Sequence, residues 1–170
     1  MNQEQLKETL QKHILWLNGK DGGEQANFDG ANLNGVSFRG VYLRNASFEG
    51  ANLVGADFEG ATLAGANFYK ADLRCANLRE ANLRGVDFNE ADLNGADLRK
   101  ADLNNAELRW TILFDADLRD ADLVDADLRD ADLVDAGLRR ADLTGAKMYK
   151  YDAYDASLTQ RQRNSIIFCD

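Results

Sequence analysis

The sequence has no proline at any of its 170 positions. A proline inside a sheet removes a ladder donor, so nothing along this chain forbids continuous backbone pairing. It has one histidine, His13, and two cysteines, Cys75 and Cys169, 94 residues apart. If contacts run between near neighbours in sequence, the cysteines never meet, and both are read as free thiols in a reducing compartment. A lone histidine among apolar residues is a packing residue. No Ser/His/Asp or Cys/His set, no C-x-x-C and no glycine-rich phosphate loop can be assembled, so the reading is a non-enzyme with no catalytic residue, cofactor or metal. The longest apolar run near the N-terminus is Ile14 to Leu17, too short for a signal core or a membrane span, which reads as cytoplasmic and without a membrane. Positive charge is also short, 20 Lys and Arg against 29 Asp and Glu for a net charge of -9, and this excludes direct nucleic-acid binding through phosphates.

What the chain does have is a period of five. From 26 to 160 there are 27 pentads, and the middle residue is Leu or Phe in all but two, Met148 and Ala153. Two residues before it stands Ala in 22 of 27, the exceptions being Val36, Val41, Val86, Thr111 and Tyr151. Helices need apolar spacings of three and four and strands need two, so the chain must turn once per pentad. Glycine two positions after the centre, as at Gly30, Gly55 and Gly85, suits such a turn, and Asn45 and Asn105 serve it less well. Repeated turns of one hand wind a solenoid with Ala and Leu/Phe inward. Phe28, Phe48, Phe68 and Phe88 recur at twenty, with Phe38 and Phe58 offset by ten, which predicts four pentads per coil.

The pentads A-D-L-R-D, A-N-L-N-G and A-D-L-N-G carry the signature of the pentapeptide-repeat family, and the chain resembles its stand-alone bacterial members over about four fifths of its length. The resemblance implies an all-β solenoid, a right-handed quadrilateral β-helix, here of nearly seven coils. The residues themselves, with no catalytic set and an apolar break in a polar exterior, are read as a non-enzymatic rigid surface for an unidentified protein partner. The quinolone-resistance members of the family are acidic rods that bind DNA gyrase in place of DNA. That makes a DNA-mimicking gyrase or topoisomerase binder the alternative.

Four segments are expected. Residues 1–18 form an N-terminal α-helical cap, with Leu6, Leu10, His13, Ile14 and Leu17 on one stripe, Asn2 as its cap and Gly19 as its stop. Residues 19–25 are a connector, 26–160 the solenoid and 161–170 a C-terminal helical cap or tail. Thr159 and Gln162 have the spacing of a capping box for that last helix. Tyr151 in an Ala position and Ala153 in a Leu position read as a volume-conserving exchange inside the last coil.

Outward positions carry the functional signal. Residues 1–85 have net charge -1 and residues 86–170 have net charge -8. Asp115, Asp117, Asp120, Asp122, Asp125, Asp127, Asp130, Asp132 and Asp135 place nine carboxylates within about one coil, an acidic belt on all four faces. Pairs such as Asp120 and Asp122 flank an inward Ala and splay apart, which argues against calcium. Arg39, Arg79, Arg99, Arg119 and Arg139 form a ladder, interrupted by Glu59 and flanked by acidic neighbours, that reads as a mixed-sign network. The apolar break in the polar exterior is Trp110, Ile112 and Phe114, which stacking extends to Val134 and Tyr154. Such a strip marks a protein interface or self-association site, or else packs under a folded-back C-terminal tail.

Overall fold

The structure, a computed structural model, describes residues 1–169, with the side chains of Tyr154 and Asp155 left aside. Parallel bridges join each pentad to the one twenty residues later, from Asn27↔Ser47 to Asp127↔Lys147, so one coil holds four pentads. Pairing is by single residues rather than by long strands. Two of every five residues form the turn, and only the residue before the centre is left to bridge. Regular strand is limited to β1 (Lys147–Tyr149) and β2 (Ile167–Cys169), which pair in parallel.

Most backbone N–H groups of a pentad have an acceptor, which is what lets so short a repeat stand. In the first pentad Phe28 donates to Ser47 O at 2.7 Å and Gly30 to Glu49 O at 2.8 Å, both in the next coil. Ala31 closes the turn on Phe28 O at 3.0 Å, and Ser47 donates back to Ala26 O at 3.0 Å. The remaining N–H, that of Asp29, goes to the Asn27 side chain at 2.9 Å. This last bond recurs along the rod, as in Arg74 to Asp72 and Val124 to Asp122, and it explains why the position before the centre is so often Asn or Asp.

The corner residue of each turn has positive φ. Ten corners are glycine, from Gly30 to Gly145, but fourteen are not, among them Trp110 (φ 55°) and the five aspartates Asp115, Asp120, Asp125, Asp130 and Asp135. Asp and Asn tolerate this region better than most residues; Trp does not.

Inside, Ala and Leu/Phe are buried along the rod, apart from Ala31 in the first coil, which is partly buried. Phe48 and Phe68 stack at 4.6 Å, Phe38 and Phe58 at 4.8 Å, and the two columns meet edge to face at about 5.8 Å. Thr111 replaces an inward Ala and satisfies its hydroxyl by donating to Phe88 O at 2.8 Å.

The five-residue period reaches 160, but the coil ends at 150. Tyr151 is exposed rather than inward, and α2 (Asp152–Asp155) follows directly, with Ala153 buried. A tyrosine is too large for the Ala space, so the chain leaves the coil there instead of exchanging volumes. Next comes α3 (Gln160–Ser165) with its Thr159 and Gln162 capping box, and β2 then regains the coil register, Lys147↔Ile167. Gln162 is buried and its Nε2 donates to Leu138 O and Ala141 O at 2.7 and 3.2 Å, covering carbonyls at the open end.

At the other end lies α1 (Gln3–Leu17), capped by Asn2 in a box completed by Gln5, with Gly19 at φ 61° after it. His13 is its deepest residue: Nδ1 accepts from Ala26 N–H at 3.0 Å, taking the place of a missing coil. Nε2 is buried near the Arg44 backbone, and Trp16 stacks on the ring at 5.4 Å. Leu6 and Leu10 pack beside it, whereas Ile14 is exposed and does not belong to the docked stripe. Gly23 lies against this helix, where a Cβ would sit 2.3 Å from Trp16 N.

Candidate functional site

The nine belt carboxylates fall into two structural classes. Asp117, Asp122, Asp127 and Asp132 stand before pentad centres, where each accepts a backbone N–H two residues on, from Arg119, Val124, Arg129 and Val134 respectively. Asp115, Asp120, Asp125, Asp130 and Asp135 occupy corners at positive φ. The first four lie on four successive faces and the first four corner residues on four successive corners, so the belt surrounds the rod.

Three belt members are held by arginine. Asp120 accepts from Arg140 Nε and Nη2, which lowers its pKa, and Asp117 is lowered by Arg119. Burial pushes Asp127 up, but the hydrogen bonds from Arg129 outweigh it and leave the carboxyl lowered. Asp130 accepts from Tyr151 Oη at 2.7 Å, which pushes that phenol up to about 12. Among the described residues no ion pair engages Asp115, Asp122, Asp125, Asp130, Asp132 or Asp135. The arginine ladder is the mixed-sign network: Arg39 pairs with Glu59 and Asp57, Arg79 with Glu80, and Arg99 with Asp97 and Asp117.

Trp110, Ile112, Phe114 and Val134 are exposed, at 49%, 41%, 38% and 36%. Trp110 is a corner residue whose ring is covered on one side by the Arg109 guanidinium at 4.1 Å. Ile112 bridges between Asp92 and Asp132, in the place where Asp or Asn usually locks the turn. Phe114 follows it in the same pentad, and Val134 lies one coil beyond Phe114. A groove of about 570 Å³ adjoins Trp110, with Tyr69, Glu90, Arg109 and Lys147 in its walls.

Tyr154 lies in α2, outside the regular stacking that assigned it to the strip, and its side chain is outside the described residues. The tail does not cover Phe114. It bonds at the end of the rod, through Gln162 and β2. The signal missed in the sequence was the two-residue spacing from Asp or Asn to the N–H it accepts, which would have separated structural carboxylates from free ones.

Among the described residues no group of three or more His, Cys, Asp and Glu side chains is placed to hold a metal ion, and no helix is long and apolar enough to cross a membrane. Cys75 and Cys169 are free.

Solved structures with the same winding include the trypsin-treated form of QnrB1, a plasmid-mediated fluoroquinolone resistance protein. It is 19% identical with a TM-score of 0.67, over 84% of this chain and 76% of that one. A pentapeptide repeat protein from the Arabidopsis thaliana thylakoid lumen is 31% identical over 81% and 74% of the two chains, with a TM-score of 0.38. Rfr23 from the cyanobacterium Cyanothece 51142 is 24% identical over 85% and 96%, with a TM-score of 0.43. No curated protein matches the chain by sequence. The family described as pentapeptide repeats (8 copies) matches residues 24–60, 42–79, 51–89, 76–115, 111–148 and 121–160. With the five-residue period, the twenty-residue coil and this match together, the chain belongs to the pentapeptide-repeat family.

Proposed function

We propose that the protein is a non-catalytic, cytoplasmic solenoid, right-handed and square in section, that presents Trp110, Ile112, Phe114 and Val134 to another protein. One observation carries the reading. Across the central coils the outward positions are mostly polar, whereas Trp110, Ile112, Phe114 and Val134 put four exposed apolar side chains on adjoining positions, with Ile112 standing where Asp or Asn often locks the turn. Burying such a cluster against a partner removes apolar area from water at about 25 cal/mol per Å². A photo-cross-linking residue at position 112 of the full chain, in cells, yields a discrete adduct that disappears when Trp110→Ser and Phe114→Ser are added. The same residue at position 62, on another face, yields none. Absence of any discrete adduct at 112 would sink the proposal.

A second reading is that the belt engages DNA gyrase or a topoisomerase in place of DNA. It is supported by the carboxylates free of ion pairs at Asp115, Asp122, Asp125 and Asp132, and by a fold shared with a fluoroquinolone resistance protein. Inhibition of gyrase supercoiling by the wild type, lost when these four become Asn, is the expected result. No inhibition with the protein in large excess over the enzyme removes it.

A further inference from the structure

The interaction surface proposed above has an acidic rim, and the rim says what kind of partner fits it. Ile112 is bridged on one side to Asp92 and on the other to Asp132. The corners that follow Phe114 and Val134 are Asp115 and Asp135. Trp110 stands between Glu90 and Asp130 in its corner column, one coil away on either side. Six carboxylates therefore surround four apolar side chains. Of the cations nearby, Arg74 pairs with Asp72 and Asp92, Lys70 pairs with Glu90 and Arg109 lies against the Trp110 ring, while Lys147 lines the groove beside Trp110. Asp115, Asp130, Asp132 and Asp135 have no cation in an ion pair among the described residues.

Two copies meeting through this face would bring these carboxylates together. Like charges set opposite each other across an interface suppress association, whereas opposite ones steer it and fix its register. Resting on the proposed interaction surface, we infer that the occupant is a basic amphipathic protein segment. Its apolar residues seat on Trp110, Ile112, Phe114 and Val134, and its Lys or Arg side chains reach Asp115, Asp132 and Asp135. Trp110 provides the anchor, a large amphipathic ring already held in place by Arg109. The rod supplies a rigid platform, so binding orders only the partner.

The test uses the full-length protein and two labelled synthetic helical peptides with the same leucine face, one with arginines on the other side and one with glutamates. Fluorescence anisotropy at low ionic strength is expected to give the arginine peptide at least about tenfold tighter binding, a margin that shrinks as salt is added. Trp110→Ser with Phe114→Ser reduces binding of the arginine peptide by about tenfold or more. Asp115→Asn, Asp132→Asn and Asp135→Asn together bring the two peptides to the same affinity. Asn at 132 still accepts the Val134 N–H, so this variant keeps the turn.

Arginine-peptide binding that survives the Trp110 and Phe114 changes overturns the inference, since it would then be diffuse attraction to the belt. So does a lack of binding by either peptide, or dimerisation of the wild type that those two changes abolish. Patch-dependent binding of both peptides with equal affinity overturns the charge of the occupant alone and leaves the interaction surface standing.

Discussion

The Nδ1 atom of His13 accepts the Ala26 N–H at 3.0 Å, joining the cap helix to the first coil through an imidazole that must be neutral to do so. Burial lowers the pKa of this histidine below its ordinary value, the Arg44 backbone offsetting part of the effect. The cap's contribution is therefore present above the unfolded-state value of about 6.5 and is lost as pH falls below it, because the unfolded chain takes up the proton first. Hydrogen exchange of α1 amides, corrected for intrinsic rates, is expected to accelerate between pH 7 and 5 while mid-rod amides do not change. His13→Asn should flatten that dependence. A pH-independent α1 would show that the bond does not hold the cap.

Asp122 accepts the Val124 N–H at 3.1 Å and, among the described residues, has no ion pair. Its oxygen matters to the fold and its charge does not, so Asp122→Asn should be close to neutral in a urea melt. Asp122→Ala, which strands that N–H, should cost about 1 kcal/mol. Equal effects from the two would mean the turn lock contributes nothing.

Gly55 sits at φ 64° with open space where a Cβ would go. Gly55→Ala should cost about 1 kcal/mol from backbone conformation alone, and Gly55→Asn distinctly less, since Asn enters this region more readily. If both substitutions are silent, the corners are not strained.

Leu73 is fully buried in the middle of the rod. Leu73→Ala should destabilise by about 2–5 kcal/mol, with the loss of exchange protection centred on the coils that touch position 73. An unchanged melting temperature would contradict its packing.

Much of this was legible in the sequence. The Phe columns at twenty-residue spacing gave the coil length because like side chains stack on like, and Thr159 with Gln162 marked the last helix because capping is local chemistry. The end of the coil was not legible. Residues 151–160 keep the five-residue spacing, yet Tyr151 does not fit an Ala space, and a spacing says nothing about volume. Nor did the corners declare themselves: Trp110 and Lys70 adopt positive φ because their register demands it, against their own preference. Ile14 was misplaced because a helical wheel shows which residues share a stripe, not which of them the first coil covers. The candidate patch was visible as residues, but the division of the belt into locked and free carboxylates needed the hydrogen bonds.

The aromatic columns end at Phe88, and from there on the inward centres are leucine as far as Leu143. That boundary falls close to where the exterior turns acidic, so the rod has an aromatic, nearly neutral half and an aliphatic, charged half. During synthesis the aromatic half leaves the ribosome first. Each later coil, with its crowded carboxylates and its non-glycine corners, can then be laid on a finished edge that already presents the backbone donors and acceptors it needs. The coils least suited to start a fold come last.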